Sequence, residues 1–251
     1  YNQEPLSYDE IMEWCRSQAE FFKDYICDVG TLLGAAAGQG KNILFEAQLG
    51  ALRDIDYGIY PFTSSSNTIA SYAPIGAGIP GCALDNVVGV MKAYSTCVGE
   101  GPFVAETAMG EAWNEKLRES GGEFGAATGR PRRVGPFDAV ASRYGIRCQK
   151  AQDIALTKLD VLGAFDKIPV ITGYRLHGVL LDSFPTDSRL EEAEPVIEEL
   201  PGWGCDISGC RSWKDLPENA RKYVCTLEKL VDHPIYLVST GAERDAYLLR
   251  E

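Results

Sequence analysis

Two short polar loops each follow an apolar run of strand-like composition. The runs are Asp153 to Leu156 and Ile235 to Val238, and the loops are Thr157-Lys158-Leu159-Asp160 and Ser239-Thr240-Gly241. Segments with helical spacing of apolar residues alternate with such runs, from Asp138 to about Cys148 and from Leu216 to about Val231. Strands that alternate with helices are typical of α/β domains. We therefore expect an α/β fold with a mostly parallel sheet flanked by helices.

The residue types of the two loops suit a guanine ring. A carboxylate such as that of Asp160 accepts hydrogen bonds from N1–H and from the exocyclic amine, and the stem of Lys158 covers the ring face. Backbone N–H groups of such loops can meet O6. The pair of loops predicts a guanine nucleotide site, and the alternative is two ordinary turns at strand ends.

The composition argues against several other classes of protein. The chain has 251 residues, of which 45% are hydrophobic, so it can bury a substantial core. Its formal net charge of -12 argues against a broad surface for nucleic acid or anionic membrane, because both need clustered cations. No apolar run reaches about 18 residues, so we expect no membrane span. Any phosphate site must therefore be local.

The eight cysteines are scattered along the chain and include no CxxC pair. Their even number permits disulfides, but a chain of this length does not need them. We therefore expect reduced, mostly buried thiols in a cytosolic protein. Cys205 and Cys210 have no further ligands nearby, because the two histidines, His177 and His233, are distant in sequence. This pattern predicts no metal site.

The N-terminal segment begins with a capping box, Ser7 to Glu10, which predicts a helix start. Apolar residues then recur near helical spacing and predict one helix with a buried face through about Leu33. These residues are Ile11, Trp14, Cys15, Ala19, Phe22, Ile26 and Val29. Asn42 to Glu46 is typical of a short buried strand. We therefore divide the chain into an N-terminal helix, residues 1–41, and a core, residues 42–251.

Other segments have simple interpretations. Val87 to Tyr94 is apolar, and Glu111 to Arg118 is typical of a surface helix. Val170 to Leu176 and Val179 to Phe184 predict a hairpin with its turn between them. The run from Asp187 to Leu200 is rich in Glu, and we interpret it as a solvated face.

A long loop, residues 54–80, is rich in Gly, Ser, Tyr and Pro. Long loops in compact domains are either functional or disordered, and this one has too many apolar residues for disorder. We expect it to line a site. Asp54 and Asp56 could act as paired carboxylates in acid and base chemistry, but we favour structural roles in which they hold the Ser-rich stretch Ser64 to Thr68.

Two Gly-rich stretches differ in their suitability for phosphate. Gly34 to Lys41 fails as a phosphate loop because its spacing is one residue too long and Asn42 replaces the Mg-binding Ser or Thr. The second stretch, Gly125 to Arg133, concentrates three guanidinium groups, which bind phosphate and carboxylate in bidentate fashion. They belong to Arg130, Arg132 and Arg133. This loop predicts an anion site, and a solvated basic turn is the alternative.

Nine segments share one order and spacing with a known family. They are Leu44 to Gly50, Asp54 to Phe62, Ser64 to Asn67, Lys92 to Thr96, Gly99 to Phe103, Glu123 to Arg133, Thr157 to Leu162, Pro201 to Trp203 and Ser239 to Gly241. Together they resemble the adenylosuccinate synthetase family. The resemblance covers the C-terminal part of that family's length, and a first residue of Tyr rather than Met suggests a piece of a longer product.

The resemblance implies the GTP-dependent joining of IMP to L-aspartate, which gives adenylosuccinate, GDP and phosphate. It implies a fold related to P-loop GTPase-like folds but lacking the P-loop half. In the family the N-terminal half supplies the phosphate loop, the general base, the general acid and most Mg²⁺ contacts. We therefore assign no catalytic residue here and expect the isolated chain to be inactive. The family is a cytoplasmic homodimer. The alternative is a non-catalytic guanine nucleotide-binding module, or a subunit that needs a separate N-terminal partner.

Carried over residue by residue, the resemblance implies three binding sets and no metal ligand. The GTP set is Arg132, Lys158, Leu159, Asp160, Ser239, Thr240 and Gly241. The IMP set is Gln48, Leu49, Ser64 and Arg130. The aspartate set is the loop of Ala126, Ala127, Thr128, Gly129, Arg130, Pro131 and Arg132.

Four positions depart from the family pattern. Leu49 stands where the family has an IMP-contacting Gln, and Gln48 lies one place earlier, so that contact is lost or reassigned. Ser64 replaces a Thr and keeps the hydroxyl, whereas Ala127 replaces a Thr and loses it. Pro131 replaces an Arg, and its fixed φ stiffens a loop that is expected to move.

Overall fold

The computed structural model describes residues 4–250 and contains seven α-helices and ten strands within them. The helices are α1 (Tyr8–Phe22), α2 (Val29–Gly38), α3 (Ala73–Gly76), α4 (Val104–Thr107), α5 (Glu111–Gly121), α6 (Ala139–Gln149) and α7 (Glu218–Val231). The strands are β1 (Val88–Lys92), β2 (Ser95–Cys97), β3 (Arg133–Gly135), β4 (Phe137–Asp138), β5 (Asp153–Thr157), β6 (Lys167–Leu176), β7 (Val179–Leu180), β8 (Glu194–Pro201), β9 (Ile235–Ser239) and β10 (Tyr247–Leu249).

The central sheet has four strands in the order β1-β5-β9-β10. β1, β5 and β9 run parallel, and β10 runs antiparallel to β9. Ile154 and Leu156 of β5 are fully buried, and they belong to one hydrophobic cluster with Val224 and Leu227 of α7. Those two α7 residues are three apart, so they lie on one face of the helix. A parallel sheet that buries its strands against a helix confirms the predicted α/β class.

A second sheet contains β4, β6, β7 and β8. β6 pairs in parallel with β4 and antiparallel with β7 and β8. Asp138 ends β4 and also caps α6, because its Oδ1 accepts hydrogen bonds from the N–H groups of Val140 and Ala141, each at 3.0 Å. Strands β2 and β3 form a separate antiparallel pair.

The predicted hairpin is confirmed by β6 and β7, which are joined at His177 and Gly178. Both turn residues have positive φ, 50° and 82°, as a two-residue hairpin turn requires. The Glu-rich run from Asp187 to Leu200 was predicted to be a solvated face, but its strand was not predicted. Glu198 and Glu199 are exposed, but they lie in β8, whose ladder with β6 overrides the poor strand propensity of Glu.

A smaller compact unit contains the described residues of 1–46 together with 72–83, and a larger unit contains 47–71 and the residues from 84 onward. The predicted capping box is present in the smaller unit. The N–H of Glu10 donates to Ser7 Oγ at 3.1 Å, and the N–H of Ser7 donates to the Glu10 carboxylate at 3.2 Å. These bonds satisfy free backbone groups where α1 begins.

The prediction of one N-terminal helix with a buried face is wrong in two respects. A 3-10 turn, Lys23–Tyr25, ends α1, and Asp28 begins α2 by accepting the N–H of Thr31 at 3.0 Å. No residue of α1 or α2 is buried, and Trp14 is 64% exposed. Helical spacing is local, whereas burial depends on what covers the face. The predicted strand from Asn42 to Glu46 is also wrong, because this segment has no strand pairing.

All eight cysteines are free, as expected, but none is buried. Cys15, Cys27 and Cys205 are exposed, and the other five are partly exposed. The expectation of mostly buried thiols is therefore wrong. Within residues 4–250, no helix has both the length and the apolar character that crossing a membrane requires.

Candidate functional site

The register of the central sheet brings the two polar loops together. Leu156 of β5 lies opposite Val238 of β9 in a parallel ladder. The segments that follow, Thr157 to Asp160 and Ser239 to Gly241, therefore leave the same edge of the sheet on neighbouring strands. Ligands of open α/β sheets bind at this carboxyl edge.

Lys158 lies at this edge, and its ammonium group is hydrogen-bonded to the protein. Its backbone has a positive φ of 60°. Its Nζ donates to the carbonyl oxygen of Gly121 at 2.6 Å and lies 3.5 Å from a carboxylate oxygen of Glu123. The charge is therefore anchored, and the aliphatic stem is the part of the side chain available to a ligand. Leu159 is fully buried in the core, so only its backbone can face a ligand.

Asp160 begins the 3-10 helix Asp160–Ala164. Burial raises the pKa of its carboxyl above 3.8, the charge of Lys158 lowers it, and the charge of Asp206 raises it again. The side chain makes no hydrogen bond to another side chain or to backbone within residues 4–250 beyond its own N–H. Its acceptor oxygens are thus free for a ligand's N–H donors.

The second loop divides into structural and open positions. Thr240 is fully buried, its N–H donates to the carbonyl of Ala246 at 2.8 Å, and its Oγ1 donates to the carbonyl of Cys210 at 3.2 Å. Ser239 Oγ donates to the carbonyl of Gly241 at 3.0 Å. Thr240 therefore holds the loop in place. Ser239 and Gly241 are partly exposed at the sheet edge, where a ligand can contact them.

The segment around Asp206 was not predicted to join this site. The carboxylate of Asp206 accepts the N–H of Ser208 at 2.8 Å and its hydroxyl at 2.9 Å. Asp206 is close enough to raise the pKa of Asp160, and a Cβ on Gly241 would lie 3.7 Å from Ser208 Cβ. The sequence signals nearby were the motif that ends at Trp203 and the pair Cys205 and Cys210, and neither indicated a role for Asp206. The spatial proximity of two loops that are distant in the chain cannot be read from the local sequence of either loop.

The basic loop presents one free guanidinium group rather than three. Its turn is closed by the N–H of Gly125 donating to the carbonyl of Arg130, and by the N–H of Gly129 donating to the carbonyl of Gly125, both at 2.8 Å. The positions between 126 and 130 are exposed. Within residues 4–250, the side chain of Arg130 makes no hydrogen bond or ion pair.

The other two arginines have protein partners. Arg133 donates to Glu106 through Nε at 2.9 Å and Nη2 at 2.6 Å, and its Nη1 donates to the carbonyl of Gly101 at 2.8 Å. Arg132 donates from Nη1 to Glu123 at 2.8 Å. The prediction of a three-arginine anion site is therefore corrected. Arg133 is a structural residue, and Arg132 is partly engaged.

Glu123 connects the two predicted nucleotide elements. Its carboxylate is 0% exposed and accepts hydrogen bonds from Lys92 at 2.8 Å, Tyr94 at 2.6 Å and Arg132 at 2.8 Å. Lys158 lies 3.5 Å away. Burial raises the pKa of Glu123, but the hydrogen bonds from Lys92, Tyr94 and Arg132 outweigh it and lower the pKa to about 2. Sequence motifs contained this Glu but did not indicate its role.

The Ser-rich loop is held by Asp54, as predicted. Asp54 is fully buried, and its carboxylate accepts the N–H groups of Asp56 and Tyr57 at 2.9 and 3.0 Å and that of Thr68 at 2.6 Å. Asp56 in turn accepts from the side-chain amide of Asn67 at 2.8 Å. Both carboxylates have structural partners, so the alternative of paired acid and base groups is not needed.

The predicted IMP residues other than Arg130 belong to the segment from Gln48 to Ser64. Ser64 Oγ donates to the carbonyl of Arg53 at 2.8 Å. Gln48 and Leu49 are exposed, and Leu49 has a positive φ of 76°. Among the described residues, no hydrogen bond joins Gln48, Leu49 or Ser64 to the basic loop. Two members of the GTP set, Arg132 and Lys158, meet at Glu123, whereas within residues 4–250 no hydrogen bond joins members of the IMP set to one another.

A cavity of about 390 Å³ lies near these elements. Its lining includes Lys92, Tyr94 and Asp138 but none of the predicted GTP, IMP or aspartate residues. Across residues 4–250 there is no group of three or more His, Cys, Asp or Glu side chains that could hold a metal ion.

Comparison with known proteins identifies a family. The sequence model of the family described as adenylosuccinate synthetase matches residues 1–248. The adenylosuccinate synthetase of Trichlorobacter lovleyi is 48% identical over 98% of this chain and 57% of its own length. That of Pelotomaculum thermopropionicum is 45% identical over 99% of this chain and 58% of its own length.

Solved structures give the same result. The fully ligated adenylosuccinate synthetase of Plasmodium falciparum superposes with a TM-score of 0.92 at 34% identity, over 98% of this chain and 59% of that one. A succinoaminodeoxyadenylate synthetase of cyanophage S-2L has a TM-score of 0.53 at 14% identity, over 89% of this chain and 50% of that one, which indicates a shared fold only. The chain spans less than two thirds of the length of these relatives. It belongs to the adenylosuccinate synthetase family.

Proposed function

We propose that this chain selects the guanine nucleotide and presents the aspartate loop for the GTP-dependent joining of IMP to L-aspartate. The products of that reaction are adenylosuccinate, GDP and phosphate. The observation that carries the proposal is the β5 and β9 register, which leaves a free carboxylate and an anchored lysine stem at one sheet edge. Family membership supports the same assignment.

Guanine is read by three groups in this proposal. The carboxylate of Asp160 accepts hydrogen bonds from N1–H and from the exocyclic amine, which adenine does not offer together. The stem of Lys158 covers one ring face, because its ammonium is held at Gly121. The turn from Ser239 to Gly241 closes the other side of the base, and Leu159 and Thr240 support it from the core. Arg132 points its remaining donors toward the nucleotide phosphates.

L-Aspartate is bound by the exposed loop from Ala126 to Arg132. Arg130 is the main anion-binding group, since its guanidinium has no protein partner among the described residues and matches a carboxylate in bidentate geometry. Thr128 and Gly129 offer a hydroxyl and backbone N–H groups. Pro131 narrows the motion of this loop.

The IMP contacts are proposed at Ser64, Arg130, Gln48 and Leu49. The hydroxyl of Ser64 donates to the carbonyl of Arg53 and accepts the N–H of Ser66 at 3.2 Å, so one lone pair remains for a further donor. The side chain of Leu49 has no polar atom, and we propose that Gln48 takes over the amide contact made by the family's Gln. This replacement moves the side-chain amide by one position along the chain.

Phosphoryl transfer needs groups that these residues do not supply. When bound, Mg²⁺ neutralises charge on the transferred phosphoryl group. We assign no metal ligand to residues 4–250, where no group of three or more His, Cys, Asp or Glu side chains could hold the ion. On the family resemblance we also assign no catalytic acid or base to them. We propose that the remaining part of the family's length supplies both, in a homodimeric enzyme. The free thiols of all eight cysteines support a reducing, cytoplasmic compartment.

Calorimetry of this chain with GTP, ATP and IMP tests the proposal. We expect GTP to bind and ATP to bind at least about tenfold more weakly, because adenine leaves the half-buried Asp160 carboxylate unpaired. Asp160→Ala should remove that preference. Asp166→Ala is the matched control, since Asp166 is an exposed aspartate six residues further along the same segment. Equal or absent binding of both nucleotides would contradict the guanine assignment.

A further inference from the structure

One buried carboxylate links three segments that are distant in sequence. Glu123 follows α5 and receives Lys92 from the end of β1 and Arg132 from just before β3. Lys158, from the loop after β5, lies 3.5 Å from the same carboxylate. Tyr94 adds a hydroxyl donor at 2.6 Å. Three cations around a fully buried carboxylate form an arrangement that is much more specific than a surface ion pair.

The backbone around Glu123 is shaped for this arrangement. Gly122 has a positive φ of 60° and ends α5, so the chain turns sharply before Glu123. A Cβ on Gly121 would lie 2.5 Å from the Tyr94 hydroxyl, so a residue with a side chain there would displace the Tyr94 donor. The N–H of Arg132 also donates to the backbone carbonyl of Glu123 at 2.9 Å. Glu123 therefore binds Arg132 through both its backbone carbonyl and its side chain, which joins the end of α5 to the segment before β3.

The arrangement determines how two proposed nucleotide ligands point. Lys158 donates to Gly121 and faces Glu123, which stretches its stem along the sheet edge. The Nη1 bond to Glu123 orients the guanidinium group of Arg132. The Nε of Arg132 is buried and has no hydrogen-bond partner within residues 4–250, so it does not contribute to that orientation. Without the carboxylate, Arg132 would lose the side-chain hydrogen bond that sets its direction, and Lys158 would keep its bond to Gly121 but lose the charge that it faces.

We propose that Glu123 is a positioning residue of the nucleotide site, which holds Lys158 for the guanine face and Arg132 for the phosphates. The proposal rests on the proposed function for the roles of those two cations. Glu123 itself touches no ligand. It couples the guanine loop to the segment that carries the aspartate loop, so that the two are ordered together.

A merely structural ion cluster makes a different prediction. It would affect stability but leave the ligand-facing side chains of the folded protein unchanged. Glu106 provides the matched control, because this carboxylate of α4 also pairs with an arginine, Arg133 of β3, but contacts neither Lys158 nor Arg132. Glu123→Gln and Glu106→Gln each remove one such carboxylate charge.

The first measurement requires no nucleotide. The folded chain and both variants are treated with a limiting amine-acetylating reagent, and acetylation of each lysine is quantified by peptide mapping. Lys214, which is exposed, serves as the internal reference. In Glu123→Gln we expect acetylation of Lys92 to rise about tenfold, the population change that follows loss of its charge-assisted hydrogen bond to Glu123. Acetylation of Lys158 should rise by a smaller factor, about threefold, because Lys158 loses the carboxylate 3.5 Å away but keeps its bond to Gly121. In Glu106→Gln we expect no change.

The second measurement is GTP and ATP affinity by calorimetry. Glu123→Gln should weaken GTP about tenfold and ATP by a smaller factor, because ATP shares the triphosphate that Arg132 faces but lacks the guanine contacts, whereas Glu106→Gln should leave both affinities unchanged. Failure of the unaltered chain to bind GTP would contradict the proposed function, while lysine acetylation would still test the positioning role. Unchanged Lys158 acetylation in folded Glu123→Gln would overturn the positioning proposal.

A second variant covers poor folding of Glu123→Gln. Glu123→Asp keeps the negative charge but withdraws the carboxylate by one methylene. We expect it to restore the fold and to leave Lys158 more reactive than in the unaltered chain, because the shorter side chain cannot reach both Lys158 and Arg132. Reactivity equal to that of the unaltered chain would overturn the proposal.

Discussion

Replacing Glu123 with Gln removes a negative charge that is buried among cations. The carboxylate is 0% exposed and accepts bonds from Lys92, Tyr94 and Arg132 at 2.6–2.8 Å. Gln keeps the size and one acceptor oxygen, but its amide brings N–H donors toward groups that are donors themselves. The variant should therefore be less stable at neutral pH, and the loss should depend on pH.

The size of the loss follows from proton linkage. The pKa of Glu123 is lowered from 4.5 to about 2 in the folded chain. A lowered carboxyl pKa adds stability above the unfolded value, and this stability disappears as pH falls through the folded value. The shift corresponds to roughly 3 kcal/mol at pH 7, of which about 2 kcal/mol is lost by pH 3. Other carboxylates titrate in the same range, so only the difference between chain and variant isolates Glu123.

Urea unfolding of both proteins at pH 7, 5 and 3 measures that difference. We expect a gap of roughly 3 kcal/mol at pH 7, a similar gap at pH 5, and a gap of about 1 kcal/mol at pH 3. Glu106→Gln should show a smaller gap at pH 7, because Glu106 is 35% exposed in its ion pair. A gap that is the same at pH 7 and pH 3 would refute the charge-based account of Glu123.

Three further results are expected. Gly121→Ala should destabilise the chain by roughly 1–3 kcal/mol in urea unfolding, because the new Cβ would lie 2.5 Å from the Tyr94 hydroxyl. Asp54→Ala should cost about 2–4 kcal/mol and speed hydrogen exchange of the Thr68 amide, since it removes the acceptor for three backbone N–H groups. GTP affinity should fall as pH drops toward the pKa of Asp160, which burial raises above 3.8, while ATP affinity should not; calorimetry between about pH 7 and pH 4 checks this.

Features encoded by adjacent residues could be predicted from sequence. The capping box at Ser7, the strands before Thr157 and Ser239, and the hairpin at His177 follow from local hydrogen bonding and spacing. The structural role of Asp54 was also predictable, because its partners lie within fourteen residues. These predictions depend on short-range chemistry, which a single sequence contains.

Features that depend on distant partners could not be predicted. The cluster at Glu123 joins residues 31 positions apart in the case of Lys92, and nothing in a local motif specifies that pairing. The engagement of Arg133 by Glu106 removed a cation that the loop sequence offered to a ligand. The expected burial of α1 failed for the same reason, since periodicity defines a face but not what covers it.

Guanine recognition by Asp160 is the central claim, and an isosteric swap tests it most directly. Xanthine has a carbonyl where guanine has its exocyclic amine, so an amide can donate to it while accepting from N1–H. GTP and XTP affinities are measured by calorimetry for the unaltered chain and for Asp160→Asn. We predict that the chain prefers GTP and the variant prefers XTP, each by at least about tenfold. The same preference in both proteins, or none in either, would contradict the claim.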